Sequence, residues 1–117
     1  AALARTAAML REDDDALERW AADVRVAARC RDDHGRDALD VEVLAEAPAA
    51  VRRRAMRAEA LECGVPGGDL RASHLADVDA LVTQWKGQGA VHLPGGVRAT
   101  RVCGRLRLVP PSAAESR

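Results

Sequence analysis

The sequence predicts an α+β fold: a long N-terminal helix, two shorter helices and a small antiparallel sheet ending in a three-strand meander. Three observations carry that prediction. Residues 1–30 keep an apolar stripe at helical spacing, and residues 47–87 hold two shorter stripes bounded by helix start and stop residues. Residues 85–109, W-K-G-Q-G-A-V-H-L-P-G-G-V-R-A-T-R-V-C-G-R-L-R-L-V, alternate apolar and polar side chains around two glycine-bearing turns.

At 117 residues the chain is near the size of one domain, and 48% hydrophobic content is ordinary for a soluble globular protein. The only aromatic residues are Trp20 and Trp85. A core of Leu, Val and Ala buries less area per residue, so modest stability is expected. No run of 18 apolar residues and no signal-peptide pattern occurs, which predicts no membrane partner. The chain opens at Ala1 without Met, which suits a piece cut from a longer protein.

In order, Leu3, Ala7, Leu10, Leu17, Ala21, Val24 and Ala28 form the first stripe, and Asp14 interrupts it. Two outcomes fit: one helix partly docked and partly solvated, or two helices hinged at Glu12–Asp15. Asp13, Asp14 and Asp15 point in different directions on a helix, so a solvated acidic face is expected there rather than a metal site. Arg31–Ala38 is a polar break around Gly35, with His34 exposed. Leu39–Ala45 alternates Leu39, Val41 and Val43 against Asp40 and Glu42, which predicts a half-exposed strand whose acidic face complements the basic meander.

Pro48 opens the next helix, which runs to a stop at Gly64. Val51, Ala55, Ala58 and Leu61 or Glu62 mark its buried side with Met56 beside it, and Arg52, Arg53, Arg54 and Arg57 spread around the rest. Ser73 is the expected cap of a third helix whose stripe is Leu75, Val78, Leu81, Val82 and Trp85. In the meander, a three-residue turn at Pro94–Gly96 sets Leu93 opposite Val97, and a two-residue turn follows around Gly104. Val91, Leu93, Val97, Ala99, Cys103, Leu106 and Leu108 then share one face. Arg98, Thr100, Val102, Arg105, Arg107 and Val109 share the other. Arg101 alone falls on the apolar side, where a charge needs a partner or a sheet margin.

Net charge is zero but divided. Residues 11–46 carry 12 Asp/Glu against 6 Lys/Arg, and residues 47–117 carry 11 Lys/Arg against 6 Asp/Glu. Between Lys86 and Val109 lie Lys86, Arg98, Arg101, Arg105 and Arg107 and no acid. Such a cluster is the footprint of a phosphate backbone or, more simply on composition alone, a solvated sheet face paired with acidic neighbours. Cys30, Cys63 and Cys103 are widely spaced without a C-x-x-C, so buried reduced thiols are expected, with no disulfide framework or zinc site. No motif ties His34, His74 or His92 to an acid, a base or a nucleophile. Neither Gly67-Gly68 nor Gly95-Gly96 sits in a phosphate-binding loop.

The run W-K-G-Q-G-A-V-H-L-P-G-G-V-R-A-T-R-V-C-G-R-L-R-L resembles the region that follows the catalytic domain in tRNA(Ile)-lysidine synthases, most of all the short actinobacterial type. V-R-R-R-A-M-R-A-E-A-L-E-C-G-V-P and S-H-L-A-D-V-D-A-L-V follow the family's order, so the resemblance covers most of residues 1–109. It implies a cytoplasmic ATP-dependent ligase that adenylates C2 of the wobble cytidine of tRNA(Ile) and joins lysine to it, using Mg²⁺. The family's S-G-G-x-D-S nucleotide loop is absent here. The resemblance therefore implies a non-catalytic substrate-recognition domain without a cofactor of its own, partnered by tRNA(Ile) and an N-terminal catalytic domain. A homodimer is a further implied partner.

The resemblance reverses the balance for the basic face. Arg98, Arg105 and Arg107 are the expected phosphate contacts, with Lys86 and Arg101 at the margin and Arg53 and Arg57 as second choices. The absence of Phe and Tyr argues for backbone and shape recognition over base stacking. The expected division is a connecting helix over 1–30, a compact recognition domain over 31–110 and a tail over 111–117. The rival reading is a dimerisation or docking module whose arginines are incidental. An independent enzyme would require an activity despite the missing nucleotide loop.

Overall fold

The computed structural model describes residues 2–111, with side chains from Arg5 onward. Among them the chain runs α1 (Ala2–Ala28), β1 (Arg29–Arg31), β2 (Asp37–Asp40), α2 (Val41–Glu46), α3 (Ala49–Glu62), α4 (Ala72–Thr83), β3 (Val91–His92), β4 (Arg98–Val102) and β5 (Arg105–Val109). The strands form one antiparallel sheet in the order β1-β2-β5-β4-β3. The α+β class and the terminal meander follow the sequence expectation. Leu3 and residues 112–117 of the expected tail lie outside the described side chains and residues.

The meander has the expected register. The Leu93 N–H donates to the Val97 carbonyl at 2.8 Å, and Val91 lies opposite Ala99. Gly95 turns the chain at φ 79°, and a Cβ there would stand 3.0 Å from the Pro66 ring, so glycine is required twice over. Cys103 and Gly104, both at positive φ, make the second turn and set Val102 opposite Arg105. Cys103 departs from its expected place: it is exposed in the turn rather than buried on the apolar face.

The sheet also has a second hairpin. Arg31–Ala38 is the loop and start of a β1–β2 pair in which Cys30 lies opposite Ala38. The strand expected over Leu39–Ala45 stops at Asp40, because the Asp40 carboxylate accepts the Glu42 N–H at 2.9 Å and caps α2. Val41, Leu44 and Ala47 are then buried at helical spacing. The period-2 pattern L-D-V-E-V was overridden by a cap. At α4 the expected cap shifts as well. Arg71 is the N-cap, its backbone N–H donates to His74 Nδ1 at 2.9 Å, and Ser73 lies within the first turn.

The helices cover one face of the sheet. Leu39, Leu44, Met56, Leu81, Leu106, Val78 and Val97 are fully buried between the two layers. Helix α1 is continuous, with no hinge at Glu12–Asp15. Its Leu17, Ala21 and Val24 pack on Ala47, Val51 and Ala55, whereas Met9 and Leu10 nearer its start are exposed. Asp14, the break in the stripe, reaches Arg54 Nη1 at 2.6 Å, and Glu18 reaches the same nitrogen at 2.7 Å.

Arg52 overturns the expectation of a solvated arginine. It is 7% exposed and forks onto Asp79 of α4. Its Nη2 donates to Asp79 Oδ2 at 3.1 Å, its Nε donates to Oδ1, and its Nη1 donates to the Ala47 carbonyl at 2.8 Å. The guanidinium thus joins three helices. Leu61 and Glu62, either of which was expected on the buried side of α3, are both exposed, and Glu59 and Ala60 are buried instead. Glu59 meets Arg25 of α1 at 3.0 Å and Arg29 of β1 at 3.6 Å.

A buried guanidinium stripped of its carboxylate is the costliest defect this arrangement offers. Asp79→Ala is expected to lower unfolding stability by about 3–5 kcal/mol, and Arg52→Met with Asp79→Leu by much less, measured by urea denaturation. Equal losses in both variants would contradict this account of the pair.

Candidate nucleic-acid interface

β5 fixes the geometry of the site. Leu106 and Leu108 point into the helical layer, so Arg105 and Arg107 emerge on the opposite face. Thr100 lies opposite Arg107, Val102 opposite Arg105 and Arg98 opposite Val109 on that same outer face. β2 adds Asp40 opposite Arg105. The acidic–basic complementarity expected between the two segments is present, with Arg105 Nη1 3.9 Å from Asp40 Oδ2.

The β1–β2 loop folds over this face and encloses a cavity of about 120 Å³ with Thr100, Val102, Arg105 and Arg107. Asp32 organises the loop. Its Oδ1 accepts the backbone N–H groups of His34 at 2.8 Å and Arg36 at 2.9 Å. Its Oδ2 accepts Arg36 Nε at 2.8 Å and faces Arg107 Nε at 3.6 Å. Arg107 Nε also donates to the Asp37 carbonyl at 3.4 Å.

The structure brings Arg98, Arg105 and Arg107 together and separates the other expected residues from them. All three are half-buried, with Arg105 more open than Arg107. Arg101 turns to the helical side, where its Nη1 donates to the Leu81 carbonyl at 2.9 Å and its guanidinium lies 4.9 Å from the Trp85 ring centre. The partner that a charge on the apolar face requires is thus the C-terminal end of α4. Lys86 is exposed in the loop after α4. Arg53 and Arg57 are exposed on α3, in the helical layer, and Arg53 Nε lies 3.5 Å from Asp79 Oδ2.

Arg36 is a cation of this site that the sequence alone places in a polar break. The signal was local: Asp32 followed two residues later by His34 and four later by Arg36 is an Asx-type turn that returns an arginine to its own aspartate. No group of His, Cys, Asp or Glu among the described residues is arranged to hold a metal ion. Cys30 and Cys63 are half-buried free thiols, both pushed up by burial, and Cys63 donates to the Leu108 carbonyl at 3.2 Å. No helix of the described residues is long and apolar enough to cross a membrane.

Desolvation raises the Asp32 carboxyl, but the amides of Arg36 and His34 and the Arg36 guanidinium outweigh it and lower the group from 3.8 to about 2. A depressed folded-state value means that the clamp stabilises fully above the ordinary carboxylate range and is lost as pH falls from about 3.8 toward 2. An NMR titration of the Asp32 carboxyl carbon is therefore expected to show a midpoint near 2, with the Arg36 and His34 amides moving in step. A midpoint near 4 would show that the loop clamp does not form.

Comparisons with known proteins point to one family. The family model described as the TilS substrate binding domain matches residues 39–107. The tRNA(Ile)-lysidine synthase of Streptomyces coelicolor is 51% identical over 105 residues, covering 90% of this chain and 29% of that protein. That of Thermobifida fusca is 46% identical over 105 residues, covering 90% and 31%, and that of Mycobacterium bovis 41% over 105 residues, covering 89% and 32%. The chain thus spans about 30% of the length of these curated relatives. With a family model over more than half of its residues, the chain belongs to the TilS substrate-binding domain family.

Proposed function

We propose that this chain holds tRNA(Ile) for a tRNA(Ile)-lysidine synthase, acting as the accessory domain beside a separate catalytic domain in the cytoplasm. The observation that carries the reading is the outer face of the sheet, where Arg98, Arg105 and Arg107 share one surface that no helix of the described residues covers. An antiparallel sheet with one face packed on helices and a basic face bordered by a short loop suits a polyanion. The guanidinium forks supply paired donors to phosphate oxygens, and Thr100 adds a hydroxyl between them. Phosphate contacts of this kind fix position and register, which is what a catalytic domain acting on one nucleotide needs from its neighbour.

Base stacking has little to work with. The chain has no Phe or Tyr, Trp85 is occupied by Arg101, and the exposed Trp20 lies on α1 rather than on the sheet face. Recognition of backbone and shape remains. Lys86, Arg53 and Arg57 are assigned a secondary, peripheral role in the same reading, and Arg101 a structural one. ATP, Mg²⁺ and lysine would be handled by the catalytic domain, to which the resemblance assigns the nucleotide loop. In this reading α1 is the connecting element and residues 31–110 the recognition body.

One observation favours a second reading. Met9, Leu10, Trp20 and Val26 are large apolar side chains exposed along α1, which suits docking on the catalytic domain or on a second copy. The two readings separate in a binding assay. The chain is expected to bind tRNA(Ile) with an affinity that falls steeply with salt, and Arg98/Arg105/Arg107→Ala is expected to flatten the log–log salt slope by about 2–3. Absence of binding at low salt, together with a mass that rises with concentration, would favour the docking reading.

A further inference from the structure

We propose that Asp32 is a built-in counter-ligand of the RNA-binding face, holding the guanidinium groups of Arg36 and Arg107 until an RNA phosphate takes them over. The proposal rests on the RNA-binding reading above and adds Arg36 to the residues that contact the backbone.

The geometry divides the carboxylate into two halves with different tasks. Oδ1 is pinned by two loop amides at 2.8 and 2.9 Å, which fixes the carboxylate over the sheet. Oδ2 meets Arg36 Nε at 2.8 Å and Arg107 Nε at 3.6 Å, so one oxygen stands where a phosphate oxygen would bridge two arginines. Both arginines and the carboxylate line the same cavity as Thr100 and Arg105. Arg36 is half exposed at the rim, with its side chain 52% accessible, so it can swing outward while Asp32 stays fixed. Competition is therefore for guanidinium donors rather than for space. Asp40 stands in the same relation to Arg105 at the looser distance of 3.9 Å.

Such a counter-ligand limits affinity and raises selectivity. A weak or misplaced polyanion gains little from arginines that are already neutralised, whereas a backbone that reaches Arg36 and Arg107 together replaces one shared carboxylate oxygen with its own. Asp33, next in the loop, has the same charge, is exposed and lines the same cavity, but makes no hydrogen bond or ion pair to either arginine among the described residues.

The test compares tRNA(Ile) binding across a salt series for the full chain and its Asp32→Asn, Asp33→Asn and Arg36→Ala variants. Asparagine keeps the carbonyl that accepts the loop amides and removes the charge, so Asp32→Asn is expected to bind about threefold tighter, on the scale of an exposed ion pair. Its salt slope is expected to steepen by about 0.7–0.9. Asp33→Asn is expected to match the wild type, and Arg36→Ala to bind about threefold weaker. Asp32→Asn at or below wild-type affinity, Asp33→Asn gaining as much as Asp32→Asn, or Arg36→Ala without effect would each overturn the proposal. Wild-type binding that is absent or indifferent to salt would instead sink the RNA-binding reading itself, and the counter-ligand with it.

Discussion

The alternation Arg105-Leu106-Arg107-Leu108 in β5 is the constraint on which the rest of the structure depends. β5 is the central strand, paired with β2 on one side and β4 on the other. Leu106 is fully buried, and sheet periodicity then leaves the arginines nowhere but the opposite face. A slip of one residue would expose Leu106 and Leu108 and drive two charges into the helical layer, which fixes the register strongly. The helices must therefore gather on one side. The other side carries a short acidic loop and, in the proposed reading, the RNA.

Charge also does much of the work of orientation that aromatic side chains do elsewhere. The core is built from small and medium aliphatic residues, which fill space without strongly dictating how helices cross. Three ion-pair clusters supply that direction: Arg52 with Asp79 between α3 and α4, Arg25 of α1 and Arg29 of β1 with Glu59 and Glu62 of α3, and Arg54 with Asp14 and Glu18 between α3 and α1. The net-acidic first part of the chain and the net-basic remainder meet across α1–α3 and β2–β5. Net charge zero is thus the sum of an internal pairing and a basic face on the sheet.

The meander was legible in the sequence because its signals are local. Pro94-Gly95-Gly96 and Gly104 fix the turns, turn lengths fix the register, and register fixes the faces, including the anomalous position of Arg101. The misreadings share a cause in that each depended on a partner distant in sequence or on a single cap. Asp40 converts an alternating run into a helix start, and nothing in L-D-V-E-V-L distinguishes the two without knowing that Leu44 and Ala47 are buried. Arg52 looks like its neighbours Arg53 and Arg54 until Asp79, 27 residues away, is placed beside it. Arg36 and the Asp32 clamp escaped because β1 is only three residues long and reads as the end of α1.

The central claim is that the outer sheet face, and not the helical layer, receives RNA. The most direct measurement is an amide chemical-shift map of the chain titrated with tRNA(Ile). The account predicts perturbations concentrated at Arg36, Arg98, Thr100, Arg105 and Arg107, across the β1–β2 loop, β4 and β5. Perturbations concentrated at Arg53 and Arg57 on α3, or along α1 from Met9 to Trp20, would contradict it.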